Sequence, residues 1–166
     1  MAIKAVVTVG VSAHDLADLV TTRDFALAKR FNPTLDGGRD LEWRDGRRER
    51  ISHVLTKPVL WLKARDFVLR VRRDRLADGT ELITNADTVH PDVPPTAACV
   101  RGSIEGMHLV EPITAGQGPA CKYTCVHQMD PRGAVPLWVV NWFAVRRPLQ
   151  YMSALRTVAE ERHAST

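Results

Sequence analysis

The last stretch of the chain, Pro136 to His163, limits the fold more than any other. From Leu137 to Val145 it is apolar on nearly every side, with Leu137, Trp138, Val139, Val140, Trp142, Phe143, Ala144 and Val145. A helix that is apolar all round needs cover all round, or must face a greasy surface that is not protein. Past Pro148 the pattern changes. Leu149, Met152, Leu155 and Val158 or Ala159 recur at helical spacing, with Arg156, Glu160, Glu161 and Arg162 between them. Pro148 lacks an N–H and crowds the carbonyl of Ala144, so a kink is expected at the join. The segment is either a core helix with an exposed tail or a lid over an apolar cavity, and the upstream chain decides between them.

Upstream, strands dominate. Residues 3–10 are rich in β-branched side chains and read as a strand; Ser12 caps a helix over Ala13–Leu19, and Thr22–Arg30 reads as a second short helix. Leu35–Gly38 reads as a loop, then Asp40–Arg44 and Arg48–Lys57 as a hairpin around Asp45-Gly46. Ala64–Arg73 is a strand with Phe67, Leu69 and Val71 on one face and Val68, Arg70 and Arg72 on the other. Asp78-Gly79 turns the chain into Thr80–Val89, and the prolines of residues 90–95 impose an exposed loop. Cys99–Glu111 and Ala120–Met129 complete the strands, with Tyr123, Cys125, His127 and Met129 sharing a face. Short turns imply an antiparallel sheet, and only the terminal helix is long enough to cover it. The expected class is α+β, a curved antiparallel sheet wrapped around a long C-terminal helix. Ser52, Thr84 and Cys125 are expected as small or weakly polar interior positions.

At 166 residues the chain is expected to be one domain with a real core. No apolar run approaches a membrane span, and the first residues lack a signal-peptide layout, so a cytoplasmic protein is expected. The net charge of +4 is concentrated in Arg44–Arg50 and Arg70–Arg75. Such clusters favour phosphate or an anionic membrane surface, but more often are solvated strand faces; no nucleic-acid partner is expected. Cys99, Cys121 and Cys125 lack zinc-knuckle spacing and read as small buried apolar residues.

Arg65-Asp66-Phe67-Val68, Asp78-Gly79-Thr80, the proline-rich loop, Val100-Arg101-Gly102, and Asp130-Pro-Arg-Gly-Ala-Val-Pro136 leading into Trp138-Val-Val-Asn141 follow one another in an order that resembles the START (steroidogenic acute regulatory protein-related lipid transfer) domain family. The resemblance spans residues 64–163, and residues 3–63 fit more loosely. It implies a helix-grip fold with a tunnel for one phospholipid, sterol or sphingolipid, gated by the terminal helix and the loop after Thr80–Val89. It implies no metal or cofactor, and a chain that opens at a middle strand of the family, without the family's first helix and strands. An open sheet edge then invites self-association. The carboxylate and arginine that sterol-carrying members place in the tunnel fall by register at Ser52 and Val71, so a tunnel without a buried ion pair is expected.

Candidate lipid-binding residues are Phe67, Leu69, Val71, Tyr123, Cys125, His127, Trp138, Trp142 and Met152, and Arg65, Asp66 and Arg101 are expected in a structural motif, with both arginines as partners of Asp66. Pro91–Pro95 and the first half of the final helix are expected to touch the bilayer, helped by positive charge. No nucleophile elbow or phosphate loop occurs, and no catalytic residue is assigned. A helix-grip enzyme of the cyclase or hydrolase kind would have to use His53, His127 and Asp87. A lipid-regulated interaction domain of a larger protein is the third reading.

Overall fold

A computed structural model of the chain describes residues 2–115 and 118–165; the side chain of Phe143, expected on the apolar half of the last helix, lies outside the described residues. Strict alternation makes β1 (Ala2–Val9), with Ile3, Ala5, Val7 and Val9 turned inward and Lys4, Val6 and Thr8 outward. Ser12 caps α1 (Ala13–Val20) by accepting from the Asp15 N–H. Asp24 caps α2 (Phe25–Phe31) by accepting from the N–H groups of Ala26 and Leu27, so this helix starts later than its apolar pattern suggests.

The hairpin consists of β2 (Leu35–Arg44) and β3 (Glu49–Thr56), joined by a tight turn in which Asp45, Gly46 and Arg47 all have positive φ. The predicted loop over Leu35–Gly38 is in fact the first part of β2. Glycine is a poor strand former, which hides the strand in the sequence. A Cβ on Gly38 would meet the His53 carbonyl and the Phe25 ring, so the position admits nothing larger. Next come β4 (Arg65–Arg75) and β5 (Glu81–Asp87), on either side of the turn at Gly79, where φ is 84°. The single strand expected over Cys99–Glu111 is two. β6 (Val100–Arg101) runs parallel to β4, and β7 (Ser103–Ala115) pairs with β8 (Gly118–Asp130). Gly102 divides them, and a Cβ there would strike the Phe67 ring.

The sheet runs β1-β8-β7-β5-β4-β3-β2 with antiparallel neighbours throughout, β6 lying off this path beside β4. It is open, with β1 and β2 as its edges. The last helix, α3 (Leu137–Ala164), runs continuously through Pro148 and packs against β1, α1 and α2.

Residues directly opposite in a ladder share a face. The inner face therefore carries Phe67, Leu69 and Val71 beside Val54, Ser52 and Arg50, and then Asn85, His108, Cys125 and His127. Thr84, expected inside, pairs with Arg72 and Met107 on the outer face, and Asn85 takes the inner place. The main core joins the inner face to α1, α2 and the second half of α3 through Val9, Leu16, Ile83, Tyr123, Met152 and Leu155. A smaller core, Ile51 and Val68 with Val93, lies on the outer face. Val93 belongs to the proline-rich loop. That loop is thus anchored on the side of the sheet away from α3, and not beside it as a gate.

Candidate functional site

Alternation on β7 and β8 brings polar groups together on the inner face. His108 and Cys125 are partners in the ladder, as are Gly106 and His127. The two imidazole Nε2 atoms lie 3.1 Å apart, and Asn85 Nδ2 lies 3.1 Å from one and 3.3 Å from the other. Cys125 Sγ sits 3.5 Å from His127 Nδ1. His108 Nδ1 meets the Tyr123 hydroxyl at 2.5 Å, and that hydroxyl lies 3.4 Å from the Tyr151 hydroxyl on α3. Burial holds both imidazoles neutral. It lowers His108 to about 3, with His127 adding to the effect, and His127 to about 4. Burial also pushes the Cys125 thiol up to about 11 and raises both tyrosines. His127 was anticipated on this face. His108 was not, because only the β7–β8 register reveals that it faces His127.

The sheet comes close to His127 only because Gly106 has no side chain. A Cβ there would meet the Val126 carbonyl and the His127 ring, and the backbone oxygen cannot give way. Gly106→Ala is expected to cost about 1–3 kcal/mol by overpacking. Chemical denaturation should register that loss, and the His127 imidazole NMR shifts should move with it.

A second polar group lies nearer the β2 edge. Arg50 Nε is 3.4 Å from Asp40 Oδ1, and Ser52 Oγ donates to Asp40 at 2.7 Å while accepting from Arg50 at 3.1 Å. Both charged side chains are largely buried. The expectation of a tunnel without an ion pair is therefore corrected. Ser52 and Val71 carry no charge, but their ladder partners Asp40 and Arg50 supply the pair one strand away. Beside it, a cleft of about 290 Å³ is walled by Arg23, Trp43, Arg47, Arg48 and Arg73.

The anticipated wall residues divide into two sets. Phe67, Tyr123, Cys125 and Met152 are buried, and Leu69, Val71 and His127 are partly so. Trp138 and Trp142 are 59% and 45% exposed, so the structure places them on the open side of α3. Leu149, read as part of the packed stripe of the second half, is 68% exposed. Trp138, Trp142, Val145 and Leu149 form an outward stripe at helical spacing, and the Trp61 ring lies 5.9 Å from Trp138. The second half of α3 is held differently. Its Met152 and Leu155 are buried, Phe31 meets Tyr151 edge to face, the Gly10 N–H donates to Glu160, and Arg30 pairs with Glu161.

The structural motif is only partly as read. Asp66 accepts from Arg101 at 2.8 Å and lies 2.9 Å from His53 Nε2. Burial alone would raise its pKa, but these partners outweigh burial and hold the carboxyl below its ordinary value. Arg101 also donates to the Val93 carbonyl, fastening the proline-rich loop. Arg65 does not reach Asp66. It donates to the carbonyls of Lys63, Pro131 and Arg132, and so braces the turn that leads into α3.

An open antiparallel sheet closing on a long C-terminal helix defines a helix-grip protein. The chain belongs to the START domain family, whose profile matches residues 35–163. START domain-containing protein 10 of mouse and of human is 37% identical over 83 residues, 48% of this chain and 26% of that protein. An uncharacterized protein of Pseudomonas aeruginosa is 32% identical over 100 residues, 59% of this chain and 47% of that one. The chain thus spans about half or less of the length of these curated relatives. In fold it is similar to human StAR-related lipid transfer protein 5, with a TM-score of 0.84 at 20% identity over 96% of this chain and 76% of that one. It is also similar, at a TM-score of 0.59 and 13% identity over 98% of this chain and 95% of that one, to the aromatase/cyclase ZhuI from Streptomyces.

Proposed function

We propose that the chain binds one lipid, a phospholipid, sterol or sphingolipid, between the sheet and α3, and transfers or senses it. The observation that supports this most is the division of α3. Its second half is locked to β1 and α2, while its first half turns an apolar stripe outward and rests on Trp61. This is the arrangement of a lid that opens at a membrane. No helix among the described residues is long and apolar enough to cross a membrane, and the proposed contact is a peripheral, transient one through that stripe.

A lipid burying about 400 Å² of apolar surface gains on the order of 10 kcal/mol gross. Phe67, Leu69, Val71, Cys125 and Met152 supply the apolar wall. The Asp40–Arg50–Ser52 and Asn85–His108–His127 groups select the polar end. The protein works in the cytoplasm, and its open edges on β1 and β2 are where a second copy would pair. Tag-free protein extracted with organic solvent is expected to release one lipid class near one equivalent by mass spectrometry, and the stripped protein to take up a fluorescent analogue one to one. Empty extracts together with no uptake of any lipid class would end this reading.

An enzyme of the cyclase kind is the second reading, and the close His108–His127 pair is the observation that favours it. The trio named from sequence is not assembled. His53 lies on the outer face with Asp66, and Asp87 accepts from the Ile104 N–H.

A further inference from the structure

Three polar atoms meet on the inner face in a triangle whose three edges protons cannot all bond. Asn85 Nδ2, His108 Nε2 and His127 Nε2 form a triangle with edges of 3.1, 3.1 and 3.3 Å. An amide nitrogen donates and cannot accept. If it donates to both imidazoles, two bare lone pairs face each other across the third edge. If one imidazole and the amide both donate to the other imidazole, those two donors face each other without a bond across the remaining edge. Turning the amide over puts an oxygen at the corner, which only accepts, and the conflict returns with the opposite sign. A mismatched polar group in a low-dielectric interior is costly. With the amide turned, a cation above the triangle can take one lone pair from each imidazole and one from the amide oxygen, which removes the mismatch on every edge.

The chemistry of the neighbours fits such an ion. Cys125 and His127 are two apart on β8 and so share a face, and the ladder sets His108 opposite Cys125. One ligand atom from each of His108, His127 and Cys125 lies within 4.8 Å of the others, and Sγ is 4.0 Å from His127 Nε2. Zinc–nitrogen bonds of about 2.0–2.1 Å and a zinc–sulfur bond of about 2.3 Å require N···N and N···S spacings near 3.3 and 3.6 Å. The observed N···N spacing of 3.1 Å fits, whereas Sγ lies 4.0 Å from His127 Nε2 and 3.5 Å from Nδ1, so Cys125 must turn about its Cα–Cβ bond to reach a metal on Nε2. The other nitrogen of His108 is engaged by the Tyr123 hydroxyl at 2.5 Å, the outer partner that fixes which nitrogen faces a metal. His127 is partly exposed, which leaves a way in.

We propose that His108 Nε2, His127 Nε2 and Cys125 Sγ bind a borderline transition-metal ion such as Zn²⁺, with the Asn85 amide oxygen turned onto the same point. Mixed imidazole and thiolate donors select this class over Mg²⁺ or Ca²⁺. Three protein side chains leave room for an oxygen of the amide, of water or of a bound molecule.

The test uses the whole tag-free chain, stripped with chelator and dialysed. Titration with Co²⁺ is expected to saturate at one equivalent and to develop a thiolate-to-metal charge-transfer band in the near ultraviolet, and Zn²⁺ should displace the colour. Cys125→Ser is expected to abolish that band, His127→Gln to weaken binding at least 100-fold, and Tyr123→Phe to weaken it about 10–100-fold without changing the stoichiometry. His14→Ala, distant from the cluster, should change nothing. Circular dichroism of each stripped variant separates lost folding from lost binding, and the wild-type titration needs no variant at all. A wild-type chain that takes up neither ion at micromolar excess overturns the proposal. So does a cobalt adduct without the thiolate band, or one that persists unchanged in folded His127→Gln. Colour and stoichiometry are read without lipid, so this proposal and the carrier reading fail separately.

Discussion

Replacing Asp66 by asparagine is expected to lower the stability of the fold by about 3–5 kcal/mol at neutral pH, the cost of leaving one member of a buried ion pair alone. Asp66 and Arg101 are both largely buried, and no other carboxylate pairs with Arg101 among the described residues. The loss should appear in urea unfolding as a lower midpoint with an unchanged slope. Its pH dependence has a definite sign. The folded pKa of Asp66 lies below its ordinary value, so the contribution is complete above the unfolded value of about 3.9 and disappears as pH falls through the folded value. The difference between wild type and Asp66→Asn should therefore shrink in acid below about pH 4. A variant as stable as wild type at pH 7, or a gap that widens in acid, would remove the ion pair from this role. Because Arg101 also holds the Val93 carbonyl, limited proteolysis of the variant should cut first in the proline-rich loop.

Changing Trp61, Trp138 and Trp142 together to alanine is expected to weaken binding to phosphatidylserine-containing vesicles by tenfold or more. A tryptophan that inserts about 100 Å² of its surface contributes on the order of 2.5 kcal/mol, and 1.4 kcal/mol is already tenfold. The three side chains are 65%, 59% and 45% exposed, so the unfolding midpoint should hardly move. That contrast distinguishes a docking surface from a packing surface. Arg146, over the Trp142 ring, adds a response to anionic lipid. Co-sedimentation that is the same for wild type and the triple variant would place the membrane contact elsewhere. The proline-rich loop, read from sequence as a second contact, is tied down on the outer face by Val93.

Much of this fold is legible in the sequence wherever one local rule acts alone. The period-two pattern of β1, the Ser12 cap, the Asp45-Gly46 turn and the positive φ of Gly79 need nothing beyond neighbouring residues. The misreadings arise where distant chain decides. Gly38 disguises the start of β2 because the reason for its glycine is the Phe25 ring of another element. Gly102 breaks a strand because Phe67 occupies the space. Thr84 and Asn85 exchange faces on a shift of one residue, which composition cannot sense.

The same holds for the site. Tyr123, Cys125 and His127 follow from the alternation of β8, but His108 and Asn85 join them only once three strands are in register. The Asp40–Arg50 pair escaped for a related reason, since each charge sits directly opposite the position where it was sought. Trp138 and Trp142 show the limit of a hydropathy argument. It identifies a helix with too much apolar surface, and it cannot say which side of that surface the protein leaves bare.

Proline at 148 leaves the Ala144 carbonyl without its usual helical donor. Unravelling that begins at Leu137 therefore meets a missing rung after about two turns. Beyond that point lie the turns secured by Tyr151, Glu160 and Glu161. The amino-terminal turns can come loose while the rest of the rod stays seated, so the rate at which these turns open is set separately from the rate at which the whole molecule denatures. In hydrogen exchange the segment should appear as two blocks with different lifetimes, the boundary falling at the proline.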